Sequence, residues 1–114
     1  MDDCLFCRIG RREIPAKIIY EDESTLAFED INPQAPVHVL VVPRQHLASL
    51  REMKPEDELG VGHLLAVAAA LAREKGVEGN GYRAVVNSGT WGGQTVSHLH
   101  VHLLGGRVFQ WPPG

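Results

Sequence analysis

Between Ser97 and Leu104 the chain reads Ser-His-Leu-His-Val-His-Leu-Leu, with histidine at 98, 100 and 102 and an aliphatic residue at each position between. Period-two alternation of this kind fits an extended strand, whose even and odd positions face opposite ways. Leu99, Val101 and Leu103 then enter a core, while three imidazoles share the other face at spacings of roughly 6 to 7 Å, two strand rises. Three of the six histidines on one face must be solvated or used, because an unpartnered imidazole is costly to bury. The spacing lets a phosphate-sized group touch one histidine while its neighbours hold the phosphate oxygens.

The other elements are short. Ile18 to Tyr20 and Thr25 to Phe28 are β-prone runs around a polar Glu21-Asp22-Glu23-Ser24 loop, which predicts a hairpin closed off by Asp30-Ile31-Asn32-Pro33. Val37 to Val42 is aliphatic except for His38 and stops at Pro43, as in a central strand covered on both faces. Pro55 with Glu56, Asp57 and Glu58 at one end and Lys75-Gly76 at the other delimit a helix of about five turns. Leu64, Leu65, Ala68, Leu71 and Ala72 are its buried stripe, and His63 beside them has only a surface or packing role. Tyr82 to Asn87 and Ser97 to Leu104 are the last strands, and the tail from Arg107, with Phe109, Trp111 and Pro112-Pro113, is extended.

These elements fill one domain over residues 1–114, since 114 residues of 44% hydrophobic content leave no room for a second. A net charge of -3 gives no basic field, which argues against nucleic acid as a partner. No apolar stretch approaches the roughly 20 residues that span a bilayer, and Asp2 and Asp3 stand where a signal peptide would be basic. The expectation is a cytoplasmic protein with no membrane contact. Cys4 and Cys7 form a Cys-x-x-Cys pair, which in a reducing compartment reads as a metal site or a redox motif. The tail aromatics need a surface, either the domain's own or that of a second copy in a homodimer.

His100, central in the row, is the candidate nucleophile, because a neutral imidazole nitrogen attacks phosphorus and leaves again easily. Just before the strand, Gly92-Gly93-Gln94-Thr95 offers backbone N–H groups, an amide and a hydroxyl as a cradle for phosphate oxygens.

The His98-x-His100-x-His102 row with hydrophobic spacers resembles the signature of the histidine-triad (HIT) nucleotide-binding proteins. Ile14-Pro15-Ala16-Lys17, Asp30 to Pro36, Val42-Pro43, Gly81-Tyr82-Arg83, Val86-Asn87, Gly92-Gly93-Gln94, Gly105-Gly106-Arg107 and the ending Trp111-Pro112-Pro113-Gly114 resemble its Hint branch. That resemblance implies an α+β fold, a five-stranded antiparallel sheet with one long helix and a short N-terminal helix, in a homodimeric purine nucleoside phosphoramidase acting on AMP- or GMP-type substrates. It implies His100 as nucleophile, His38 and His102 as imidazoles around the phosphate, and Thr95 where relatives carry serine. Asp30 resembles the ribose ligand, although an aspartate before Asn32-Pro33 also caps a turn. Phe28 and Ile31 resemble the base-pocket walls, and Asn87, Gly93 and Gln94 the phosphate or ribose contacts. Cys4, Cys7, His46 and His98 match the set that holds structural Zn2+ in many HIT proteins. Trp91 replaces a small or acidic residue at the rim, and bears on the leaving group. Dinucleoside polyphosphate hydrolysis, nucleotidyl transfer and nucleotide sensing without turnover are the rival expectations.

Overall fold

Residues 3–114 are described by a computed structural model; Met1 and Asp2, the latter part of the acidic start noted above, lie outside the described residues. The expected hairpin forms as β1 (Ile18–Glu21) and β2 (Thr25–Glu29), and the aliphatic run forms β3 (Val37–Pro43). Two 3-10 turns, Leu50–Glu52 and Pro55–Asp57, lead into the long helix Glu58–Glu74, which carries the chain to β4 (Tyr82–Val85) and β5 (Val101–Gly105). A six-residue N-terminal helix, Leu5–Gly10, is called α1 and the long one α2. The sheet order is β1-β2-β3-β5-β4 with every neighbouring pair antiparallel, so β5 returns between β3 and the outer strand β4.

Both faces of this sheet are covered, which explains why β3 shows no polar alternation. One face carries Ala27, Val39, Val41, Val101 and Leu103 against Leu64, Val67, Ala68, Leu71 and Ala72 of α2. Leu65, expected in that stripe, is half exposed, and Val67 takes its place. The other face carries Leu26, Phe28, Leu40 and Val42 against Phe6 and Ile9 of α1. Across it, Phe28 pairs with Leu40 and Leu40 with His102, so the last imidazole of the row continues an apolar ladder.

The strand expected over Ser97–Leu104 begins four residues late, at Val101. Continuing the register would set Leu99 opposite Pro43, which has no N–H to give and whose carbonyl already accepts from His98 Nε2 at 2.8 Å. Leu99 N–H bonds instead to the Leu47 carbonyl at 2.7 Å, and the His98–His100 segment leaves the ladder. β4 likewise ends at Val85 and not at Asn87, which in this register would face His100, a residue that has left the ladder. Phe109 of the tail packs under the guanidinium groups of Arg83 and Arg107, at 5.2 and 4.2 Å from its ring centre, whereas Trp111 remains 82% exposed in the single chain.

His63 has a partner that its sequence position did not reveal. Its Nε2 lies 2.8 Å from Asp22 Oδ2, which also accepts from the Tyr20 hydroxyl at 2.7 Å, while Oδ1 accepts the backbone N–H groups of Ser24 and Thr25. One carboxylate therefore closes the β1–β2 turn and pins it to α2. The His63 hydrogen bond foremost, with those of Tyr20, Ser24 and Thr25, holds the Asp22 carboxyl well below the usual carboxylate range. Its contribution is thus complete above the ordinary carboxylate pKa and falls away only in strong acid. Asp22→Ala is expected to cost about 2 kcal/mol at neutral pH, as judged from hydrogen bonds to a partly exposed charged acceptor, and a urea denaturation series measures it.

Candidate active site and metal centre

A hollow of about 470 Å³ opens on the α1 face of the sheet, and Phe6, Phe28, Leu40, His38, His100 and His102 are among its walls. Two larger hollows, of about 670 and 580 Å³, contain none of the three row histidines. Asp30, Ile31, Asn87, Gly93 and Thr95 also line the first hollow, so most of the residues singled out in the sequence converge there. Ile31 stands at its mouth, 96% exposed.

The imidazoles are not solvated in a row; His98 and His100 are buried, His102 is half-buried, and each is individually tied. His100, 4% exposed, has Nδ1 at 2.7 Å from the His98 carbonyl, an acceptor only, so Nδ1 carries the proton and Nε2 the lone pair. Nε2 of His100 has no hydrogen-bond partner, yet no fully buried side-chain nitrogen lacks one among the described residues, so this atom reaches the hollow. On the other side the Gln34 backbone N–H donates to His38 Nδ1 at 3.0 Å. That fixes the His38 proton on Nε2, which donates to His102 Nδ1 at 2.9 Å and lies 3.4 Å from Asp30 Oδ2. His102 must then carry its proton on Nε2, which has no partner among the described residues and is directed to the hollow as a donor. The two rings at the centre thus present one bare lone pair and one N–H.

Burial, reinforced by the neighbouring His100 and His38, pushes the His102 pKa down to about 4, against a smaller opposing pull from Asp30. Burial also lowers His38, again opposed by Asp30. Asp30 itself performs the turn role, accepting the Asn32 N–H on Oδ1 at 2.8 Å, and keeps its second oxygen toward His38.

His98, 1% exposed, points its ring away from the hollow. Its Nε2–H donates to the Pro43 carbonyl, leaving the Nδ1 lone pair to face Cys4 Sγ at 3.2 Å and Cys7 Sγ at 3.6 Å. His46 Nδ1 lies 3.5 Å from Cys7 Sγ, and all four ligand atoms fall within 4.8 Å of one another. Zinc–sulfur and zinc–nitrogen bonds of about 2.3 and 2.0 Å in a tetrahedron require sulfur–nitrogen edges of about 3.6 Å, so two thiols and two imidazoles here fit a metal ion. The His98–Pro43 bond supplies the outer contact that orients such a ligand. Burial first, then Cys4, raises the Cys7 thiol above its ordinary value. Asp30, His38 and His102 also bring three ligand atoms together, but the Gln34 N–H leaves His38 Nε2 protonated and unable to coordinate.

Gln94 is the candidate contact that the fold does not bring to the hollow. Its amide spans backbone groups, accepting from Gly89 N–H at 2.9 Å and donating to the Ala48 and Val96 carbonyls at 2.7 and 2.9 Å. It stiffens the glycine loop, in which a Cβ on Gly92 would sit 2.6 Å from the Ser88 carbonyl oxygen and Gly93 has φ +89°. Trp91, at the tip of that loop, is fully exposed and is not among the residues lining the hollow. Sequence reasoning missed Leu5, Phe6, Ile9 and Ile14 as walls, and Gln34 as a backbone donor. Apolar residues on both sides of Cys7 were the available signal for α1; nothing in a side chain announces a backbone N–H.

The HIT domain model matches residues 11–109. An uncharacterized HIT-like protein of Synechococcus elongatus is 55% identical over 113 residues, covering 99% of this chain and 98% of that one. Among solved structures, a HIT family hydrolase from Legionella pneumophila is 46% identical, with a TM-score of 0.96 over 98% of this chain and 100% of that one. A zinc-bound histidine triad family protein from Mycobacterium smegmatis is 35% identical, with a TM-score of 0.80 over 93% of this chain and 76% of that one. With its strand order, its imidazole cluster and a family match over most of its length, the chain belongs to the HIT family.

Proposed function

We propose that this protein is a hydrolase of purine nucleoside phosphoramidates that passes through a covalent nucleotidyl-His100, the Hint-like activity within the HIT family. The observation that carries this reading is His100 itself, with Nδ1–H held by the His98 carbonyl and Nε2 bare in the hollow. The apolar walls Phe6, Phe28 and Leu40, with Ile31 at the mouth, suit a base. The Asp30 Oδ2, 3.4 Å from His38 Nε2 and on the wall of the hollow, suits ribose hydroxyls, and Asn87, Gly93, Thr95 and the His102 N–H suit phosphate oxygens.

In this reading the His100 Nε2 lone pair forms a bond to phosphorus while the P–N bond breaks, the leaving nitrogen having taken a proton from solvent at the open mouth so that it departs as a neutral amine; the water of the second step returns a proton to solvent. The Nδ1–H stays on the His98 carbonyl and steadies the positive charge that the ring acquires. His102, neutral by virtue of its lowered pKa, donates a hydrogen bond from Nε2 without adding charge, and the His38 N–H behind it keeps it in that tautomer. Water then attacks phosphorus from the open mouth and the His100–P bond breaks. Over one cycle the water's hydroxyl ends on the nucleoside monophosphate and its proton on the amine.

Cys4, Cys7, His46 and His98 would hold Zn2+, which with four protein ligands supplies stability and no open position for water. The zinc-bound relative supports this choice of metal. The proposed working form is a homodimer in the cytoplasm. The free edge of β4, with Tyr82, Val108 and Trp111 exposed, supports the pairing, and among the described residues no helix is long and apolar enough to cross a membrane.

Quenching the protein during turnover of an adenosine phosphoramidate and weighing it should reveal an AMP adduct on His100. His100→Ala should lose the adduct and about 10³-fold or more of kcat while binding AMP within roughly tenfold of the parent; full turnover by that variant contradicts the assignment. The His102 pKa is lowered from the ordinary 6.5 to about 4, so between those values the unfolded chain binds more protons than the folded one. The denaturation midpoint should therefore be level above pH 6.5 and fall as pH drops toward 4. His102→Asn should flatten that fall, and an unchanged slope would remove His102 as its source.

A further inference from the structure

Phe6 stands between the two cysteines of the metal centre, and its ring meets three others edge-on: Phe28 at 5.3 Å, His98 at 5.7 Å and His100 at 5.2 Å between ring centres. One is a hollow wall, one a metal-site imidazole and one the nucleophile. We propose that Phe6 is a positioning residue that couples the four-ligand centre to the nucleotide hollow, so that metal and nucleotide strengthen each other's binding. The proposal rests on the nucleotide reading above.

α1 has six residues, too few to be stable by itself in water. Its cap and first turn are tied to the fold through Cys4 Sγ to His98 Nδ1 and Cys7 Sγ to His46 and His98. Leu5, Phe6 and Ile9 on this helix are walls of the hollow, so whatever fixes the two sulfur atoms also fixes that wall. A second path runs through His98, whose ring faces the sulfur atoms while its carbonyl holds the His100 Nδ1–H. A metal ion on the four ligands removes the freedom of α1, and a nucleotide then binds a wall already in place. Reciprocity requires that a bound nucleotide make metal release harder by the same factor.

Competition against a chromophoric chelator measures zinc affinity with and without saturating AMP, and calorimetry on the same zinc-loaded protein measures AMP binding directly. AMP is expected to tighten zinc by about tenfold, within the usual range of coupling between sites. Ile31→Ala alters a wall residue outside α1, so it should weaken AMP yet preserve the tenfold ratio once AMP is saturating. Phe6→Ala should still bind one zinc per chain but cut the ratio to about twofold, the remainder being carried by His98; Phe6→Leu, which keeps an apolar side chain, takes its place if the alanine variant does not fold, with the same expectation. An unchanged zinc affinity in the parent while calorimetry records bound AMP overturns the coupling, as does a full tenfold ratio in the Phe6 variant. No AMP binding at all would instead refute the nucleotide reading, and the coupling with it.

Discussion

A central strand buried on both faces must be covered from both sides, and this chain has one long helix and one short one to do it. α2 has 17 residues and a continuous apolar stripe, so its face of the sheet is a conventional core. α1 has neither the length nor the area to hold itself in place, and the side that it covers is the side with the imidazoles. Side-chain links at Cys4 and Cys7 do for α1 what apolar area does for α2. The open hollow is what remains where the short helix leaves the sheet incompletely covered.

In the hollow and at the adjoining four-ligand cluster the backbone dictates where the imidazole protons sit. Two carbonyls and one N–H, from His98, Pro43 and Gln34, assign the tautomers of His100, His98 and His38, and His38 passes the assignment to His102. None of these assignments depends on a charged side chain. Burial disfavours the imidazolium forms of His38 and His102, so this hydrogen-bonded pair is held toward its neutral forms.

Much of this was legible because it rests on short periods and on residue chemistry. The apolar run at 37–42, the hairpin and the long helix appear where pattern put them, and Cys4, Cys7, His46 and His98 gather from remote positions as the resemblance to HIT proteins implied. The start of β5 was not legible, because it depends on which residue faces Pro43, and that is a matter of register between strands. Gln94 illustrates the same limit: a polar residue in a glycine loop looks like a ligand contact until the loop's own unsatisfied backbone is counted. Asp22 and His63 were unreadable for a third reason, since their meeting needs the orientation of a helix over a hairpin turn.

The loop from Asn32 to Pro36 carries prolines at 33 and 36, neither of which has an N–H, so few of its amides can reach His38. Gln34 supplies the one that does, and its own side chain turns back to the Asn32 carbonyl. The contact to His38 itself consequently places no demand on the side chain at position 34 and forbids only a third proline there. Inserting or deleting a single residue in this stretch would be a different matter, since it would slide the amide off the ring and leave the histidine pair without a defined direction for its proton.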